Sequence, residues 1–178
     1  IYTLMSCRRQ RQMCIRDSDT SMKNIAGITL GLIMGVIVTG TIAWTMMPGM
    51  MLHENVSPYD IEETVDKIKQ NAISKGWVIP SVKPLHKSVL KHGGGELPAV
   101  MLVNLCQPDH AFNILREDGN KKISVFMPCT VSVYEKSDGK TYIGTMNAGL
   151  LGEMFGGSVA EVMGEVAVDQ QDFIAFAK

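Results

Sequence analysis

The chain has 178 residues, of which 46% are hydrophobic and 20% charged, with a formal net charge of −1. This balance excludes a disordered, highly charged chain and supplies enough apolar material for one ordinary domain with a real core. No basic stripe runs through it, which argues against nucleic acid as a partner.

The first residues call for separate treatment. Arg8-Arg9-Gln10-Arg11-Gln12-Met13-Cys14-Ile15-Arg16-Asp17-Ser18 reads as the translation of a sequencing-library transposase adapter, and Ile1-Tyr2-Thr3 fits the end of a flow-cell primer. The alternative is a natural Arg-rich tail. Adapter-derived residues carry no fold information, so 1–21 are set aside as disordered, with Met22-Lys23 expected as the natural start. Without them Lys+Arg falls from 17 to 13, Asp+Glu from 18 to 16, and the net charge becomes −3. Cys7 and Cys14 go with them, which leaves Cys106 and Cys129 and at most one disulfide or one two-thiolate site.

Residues 22–48 form the expected transmembrane anchor. Ile25–Met47 contains no charged side chain, and at about 1.5 Å per helical residue it spans roughly 34 Å, enough to cross a bilayer. Lys23 precedes the run and no Lys or Arg follows until Lys67, so positive-inside logic puts the N-terminus in the cytoplasm and the domain in the periplasm or outside. Trp44 suits the outer interface. A cleavable signal peptide is the rival, but the run is longer than the usual apolar core of one and lacks a small-x-small site before Trp44. Gly27, Gly31 and Gly35 form two overlapping G-x-x-x-G units, a face on which a homodimer of anchors would pack closely.

Residues 49–178 form the expected globular domain. Met51–Val56 reads as a first strand. Ser57 as N-cap, Pro58 at the first helical position, Asp60, Glu62 and Glu63 in the first turn, and Gly76 as a left-handed stop predict a helix over 58–75. Trp77–Val82 is a second strand interrupted by Pro80, and Leu85–His92 a short helix before the loop Gly93-Gly94-Gly95. Val100–Leu105, apolar throughout except for Asn104, reads as a central strand buried on both faces. Pro108 and Asp109 start a helix through Glu117 with Ala111, Phe112 and Leu115 inward.

From Lys122 to Tyr134 apolar residues alternate: Ile123, Val125, Met127, Cys129, Val131 and Val133 share a face, which predicts one long strand. Asp138-Gly139 turns it into an antiparallel return over Thr141–Met146. A helical turn is expected at Leu150–Phe155. Ser158-Val159-Ala160-Glu161 is a capping box that opens a last helix, with a break at Asp169. This order predicts an α+β two-layer sandwich, a mainly antiparallel sheet with helices on one face, in preference to a doubly wound parallel sheet.

Gly76-Trp77-Val78, Val103-Asn104-Leu105-Cys106-Gln107-Pro108, Met127-Pro128-Cys129, Val133-Tyr134-Glu135 and Asp138-Gly139, in that order and spacing, resemble domain of unknown function family 302 over about residues 50–178. The resemblance implies a compact α+β domain, often dimeric, and no established catalytic residues. For its membrane-anchored subset it implies an envelope location and an association with sulfur-metabolising bacteria.

The candidate chemistry centres on sulfur. Cys106 ends the central strand just before a helix N-terminus, where free N–H groups favour a thiolate. His110 lies in that helix's first turn. Cys129 sits on the next strand, so both sulfurs and one imidazole can converge with Met127, Met101 or Met146. Such ligands suit Cu(I) or Zn. Buried inert cysteines or a disulfide are the plainer alternatives. His86 and His92 are weaker candidates, six residues apart and too far apart for one helical face.

No nucleotide fingerprint, Ser-His-Asp order or recognisable carboxylate pair occurs. The expectation is a membrane-anchored extracytoplasmic module that binds a small ligand or soft metal, linked through the resemblance to sulfur metabolism. The alternatives are a thiol oxidoreductase using Cys106 and Cys129, and a non-catalytic structural or partner-binding envelope subunit.

Overall fold

The computed structural model describes residues 2–127 and 129–177, apart from the side chains of residues 2–26. Pro128, expected to bulge its strand, Lys178, the Lys23 side chain and those of the adapter-like stretch lie outside the described residues. The chain divides into two compact units, residues 1–47 and 48–178.

The first unit is helical. Helix α1 spans Tyr2–Met51, so its backbone takes in the stretch set aside above as disordered. From Gly27 to Met51 it is long and apolar enough to cross a membrane, with no side chain buried. Thr41 Oγ1 donates back to the Ile37 and Val38 carbonyls at 3.0 and 2.9 Å, and Thr45 Oγ1 to that of Ile42 at 3.0 Å. Such bonds hide hydroxyls that a hydrocarbon phase would leave unsatisfied. Trp44 is exposed, and a side chain at Gly27, Gly31 or Gly35 would meet open space. The helix continues through Pro48 and Gly49 before the first strand begins at Leu52.

The second unit is a five-stranded sheet in the order β1 (Leu52–Val56), β5 (Thr141–Met146), β4 (Cys129–Glu135), β3 (Val100–Cys106), β2 (Val78–Pro84), every pair antiparallel. Pro80 and Pro84 fall on β2, an edge strand, where a missing N–H costs no ladder bond on the solvent side. Alternate residues of the central strands, Val103, Leu105, Val131, Val133 and Ile143, have no exposed area at all. They pack against Ile68 and Ala72 of α2 (Ile61–Ser74), Ile114 of α4 (Pro108–Leu115), Leu151 of α5 (Ala148–Phe155) and Val162, Val166 and Phe173 of α6 (Gly157–Phe173). Short helix α3 (Leu85–Lys91) links β2 to β3. The α+β two-layer architecture is therefore the one the sequence predicts.

Local chemistry moved several boundaries. The N-cap of α2 is Asp60, whose carboxylate accepts from Glu63 N at 2.8 Å, and not Ser57. The Ser57 hydroxyl is held by Thr64 Oγ1 at 2.6 Å and by Tyr59 N at 3.2 Å, so it cannot cap. The stop at Gly76 is as predicted: with φ +80 it lets Trp77 N reach Ala72 O at 3.0 Å and its own N reach Ile73 O at 3.0 Å, a Schellman closure. Gly139, φ +74, makes the expected hairpin turn between β4 and β5.

The long strand over Lys122–Tyr134 is not formed. Asp118–Phe126 is a 3₁₀ helix and β4 starts only at Cys129. Ile123 is buried and Phe126 packs on the core while Val125 is 83% exposed. The operative spacing is thus i, i+3 and not the apparent alternation. In α4 Ile114 is fully buried, Leu115 packs partly on the core and Ala111 lines a cavity as expected, but Phe112 faces solvent. Helix α6 begins at Gly157 with Gly156 as N-cap, because the Ser158 hydroxyl accepts from Asn120 Nδ2 at 3.1 Å. It also runs unbroken past Asp169, whose carboxylate accepts from Trp77 Nε1 at 2.8 Å.

Candidate functional site

The end of β3 and the start of β4 place the two cysteines together. Leu105 is directly paired with Cys129 in the ladder, which makes Cys106 the next residue along. After Cys106 the chain turns at once into α4. Gln107 is its N-cap, with Oε1 accepting from His110 N at 3.0 Å, and Pro108 follows. This short connection fixes His110 on the same side as the strand ends.

Cys106, His110, Met127 and Cys129 all line one cavity of about 30 Å³. The rest of the wall is apolar and comes from other elements, notably Trp77 ahead of β2, Phe126 of the 3₁₀ helix, and Val162, Met163 and Val166 of α6. Both thiols are free and half-buried. The disulfide offered as an alternative is not present. Burial, reinforced by the neighbouring Cys106, pushes the Cys129 thiol up from 9.0 to about 11, because a thiolate in this apolar wall would lose its water.

The walls are braced from behind. Trp77 meets Phe173 and His110 edge-on, with ring centroids 5.2 and 5.9 Å apart. Its indole N–H is anchored by Asp169, which also takes Lys75 Nζ at 3.1 Å. His110 Nδ1 lies 3.5 Å from Glu165 Oε2. Among the described residues no three His, Cys, Asp or Glu side chains gather closely enough to hold one ion together.

The weaker candidates lie elsewhere. Val100 N donates to His86 Nδ1 at 3.1 Å, and His92 Nδ1 sits 2.8 Å from Ser88 O. Met101 lines a separate cleft with Pro84 and His86. Met146, paired with Leu52, packs on the core. Sequence reasoning missed Trp77, Met163 and the 3₁₀ residues as part of the wall. A Trp straight after a left-handed helix stop was the one available signal, since such a residue is forced back against the helix it follows.

A single apolar helix followed by a two-layer α+β domain with a sulfur-lined cavity defines the class. Residues 53–176 match the family described as "Domain of unknown function DUF302", and the chain belongs to that family. The fold is similar to the crystal structure of an uncharacterized conserved protein DUF302 from Bacillus stearothermophilus, with a TM-score of 0.63 and 19% identity over 72% of this chain and 99% of that one. No curated protein matches the chain.

Proposed function

We propose that this protein is a membrane-anchored binding module whose domain stands outside the cytoplasm and takes a small ligand into the cavity beside Cys106 and Cys129. The observation that carries this reading is the convergence of Cys106, His110, Met127 and Cys129, from two separate stretches of the chain, on one cavity. The raised Cys129 thiol argues against Cys129 as the nucleophile of a thiol oxidoreductase, which calls for a depressed thiol. The apolar helix Gly27–Met51, with Lys23 before it and no further Lys or Arg until Lys67, supports the single-pass inner-membrane placement with the N-terminus inside.

The cavity is tested by native mass spectrometry of the full chain, released from membranes in detergent under reducing conditions. A low-mass adduct is expected on the natural sequence and not on Ala111→Phe, which fills the cavity from α4. A chain that carries no adduct, or one that Ala111→Phe retains, would sink the reading. For the placement, alkaline phosphatase fused to the C-terminus should be active, and activity of a cytoplasm-only reporter there would refute it.

A further inference from the structure

We propose that the cavity is a site for monovalent copper, held by the Cys106 and Cys129 sulfurs with the Met127 thioether, and that it is not a zinc site. This rests on the reading of the cavity as the binding site and names its ligand.

Volume comes first. A cavity of about 30 Å³ admits one or two water-sized atoms, whereas organic ligands occupy sites of roughly 300 Å³ or more. The occupant is an ion or a comparably small species.

Donor chemistry comes next. The wall carries four sulfurs, those of Cys106, Met127, Cys129 and Met163. The side-chain oxygen it offers, Gln107 Oε1, already accepts from His110 N at 3.0 Å. Calcium and magnesium need six or more oxygens and find none to spare. Zinc asks for four ligands, nitrogen, sulfur or carboxylate, set tetrahedrally. Here a third such donor is missing, since no three His, Cys, Asp or Glu side chains gather closely enough among the described residues. Monovalent copper prefers soft thiolate and thioether sulfur, and it is satisfied by two or three ligands.

Geometry completes the case. Cys129 pairs with Leu105 on the β3–β4 ladder, Cys106 follows Leu105 and pairs with Val78 of β2, both thiols line the cavity, and Met127 is two residues before Cys129. The two thiols are therefore held by the ends of β3 and β4, and Met127 by the close of the 3₁₀ helix just before β4. Loading converts one Cu(I) ion and two thiols into a bis-thiolate complex and two protons, which pass to solvent. No electron moves.

The test uses the reduced full chain in detergent, without oxygen, with Cu(I) supplied as its complex with a chromophoric chelator. One equivalent of copper should leave the chelator. Cys106→Ser and Cys129→Ser should each weaken retention by roughly 100-fold and Met127→Leu, which keeps the side-chain volume, by roughly tenfold. Fluorescence of the buried Trp77 checks that each variant is folded, and if a Cys variant is not, Met127→Leu decides. Zinc supplied with a zinc dye should stay on the dye. Copper left on the chelator, copper retained by the double Cys variant, copper retained undiminished by Met127→Leu, or zinc taken up in copper's place would each overturn the proposal. Failure to take copper, with a cavity-dependent adduct of another kind still present, removes the metal assignment alone. Failure of both removes the cavity reading as well.

Discussion

The two faces of strand β4 differ in kind. Inward, Cys129, Val131 and Val133 turn toward helices and cavity. Outward, Tyr134 and Tyr142 of β5 stack with ring centroids 6.0 Å apart and planes 17° from parallel. Tyr134 donates to Glu54, Lys136 pairs with Glu54 at 2.7 Å and sits 4.0 Å over the Tyr142 ring, and Tyr142 donates to Asp138 at 2.7 Å. The outer groups satisfy one another and so hold strands together. The inner sulfurs are soft donors facing a void, and that difference is why the cavity and not the tyrosine cluster is the place to look for function.

The most severe test of this contrast is a carboxylate placed on each face in turn. Val131→Asp puts a charge where nothing is exposed, with no partner, and should cost on the order of 4 kcal/mol, enough to abolish cooperative unfolding. Thr130→Asp, one residue away on the exposed face, gives up the bond Thr130 donates to Asn104 Oδ1 at 2.9 Å and should cost less, on the order of 1–2 kcal/mol. Thermal unfolding of the two variants in detergent decides it, and comparable losses would mean that the faces are not distinct.

Cys129 carries the next effect. Its thiol is raised from 9.0 to about 11, by burial first and by Cys106 second. The unfolded chain therefore gives up this proton before the folded one does. The stabilisation is whole below pH 9 and is lost as pH climbs from 9 to 11, by on the order of 2 kcal/mol. Urea unfolding at about pH 8 and about pH 10.5 should show that loss for the natural chain and not for Cys129→Ala. Parallel pH dependence in the two would place Cys129 in water.

The same division explains what the sequence revealed. Strands β3 and β4, the hairpin at Asp138-Gly139 and the stop at Gly76 were legible because each rests on a local rule: an apolar run between prolines, alternation, a turn dipeptide, a left-handed position. The 3₁₀ helix was not, since Ile123, Val125 and Met127 satisfy a strand pattern as well as they do any other, and only packing of Ile123 and Phe126 against the core chooses between them. The cap of α2 was missed for a tertiary reason, the capture of the Ser57 hydroxyl by Thr64. At the site, Cys106, His110, Met127 and Cys129 were nominated from strand and helix ends, which are local. Trp77 and Met163 reach the cavity through the packing of distant elements, and no spacing in the chain encodes that.

The smallest effect sharpens the outer face. Tyr134 is raised from 10.0 to about 12, mostly by burial and secondarily by the bond it donates to Glu54. Glu54 in turn is held below its ordinary 4.5, first by its bond to Lys136 and then by the one from Tyr134. Both Glu54 and Lys136 are exposed, so solvent screens the pair and its loss should not move the unfolding midpoint measurably. Phenolate absorbance is the sensitive readout. In Glu54→Gln the Tyr134 phenol, isolated by difference from a Tyr134→Phe chain, should titrate below 12 yet above 10.0, because the carboxylate is gone and the burial is not. A titration unchanged by the substitution would show that the carboxylate is not what Tyr134 donates to. One that returns fully to 10.0 would show that the ring is not buried, and the outer face would then be a looser surface than its stacked tyrosines imply.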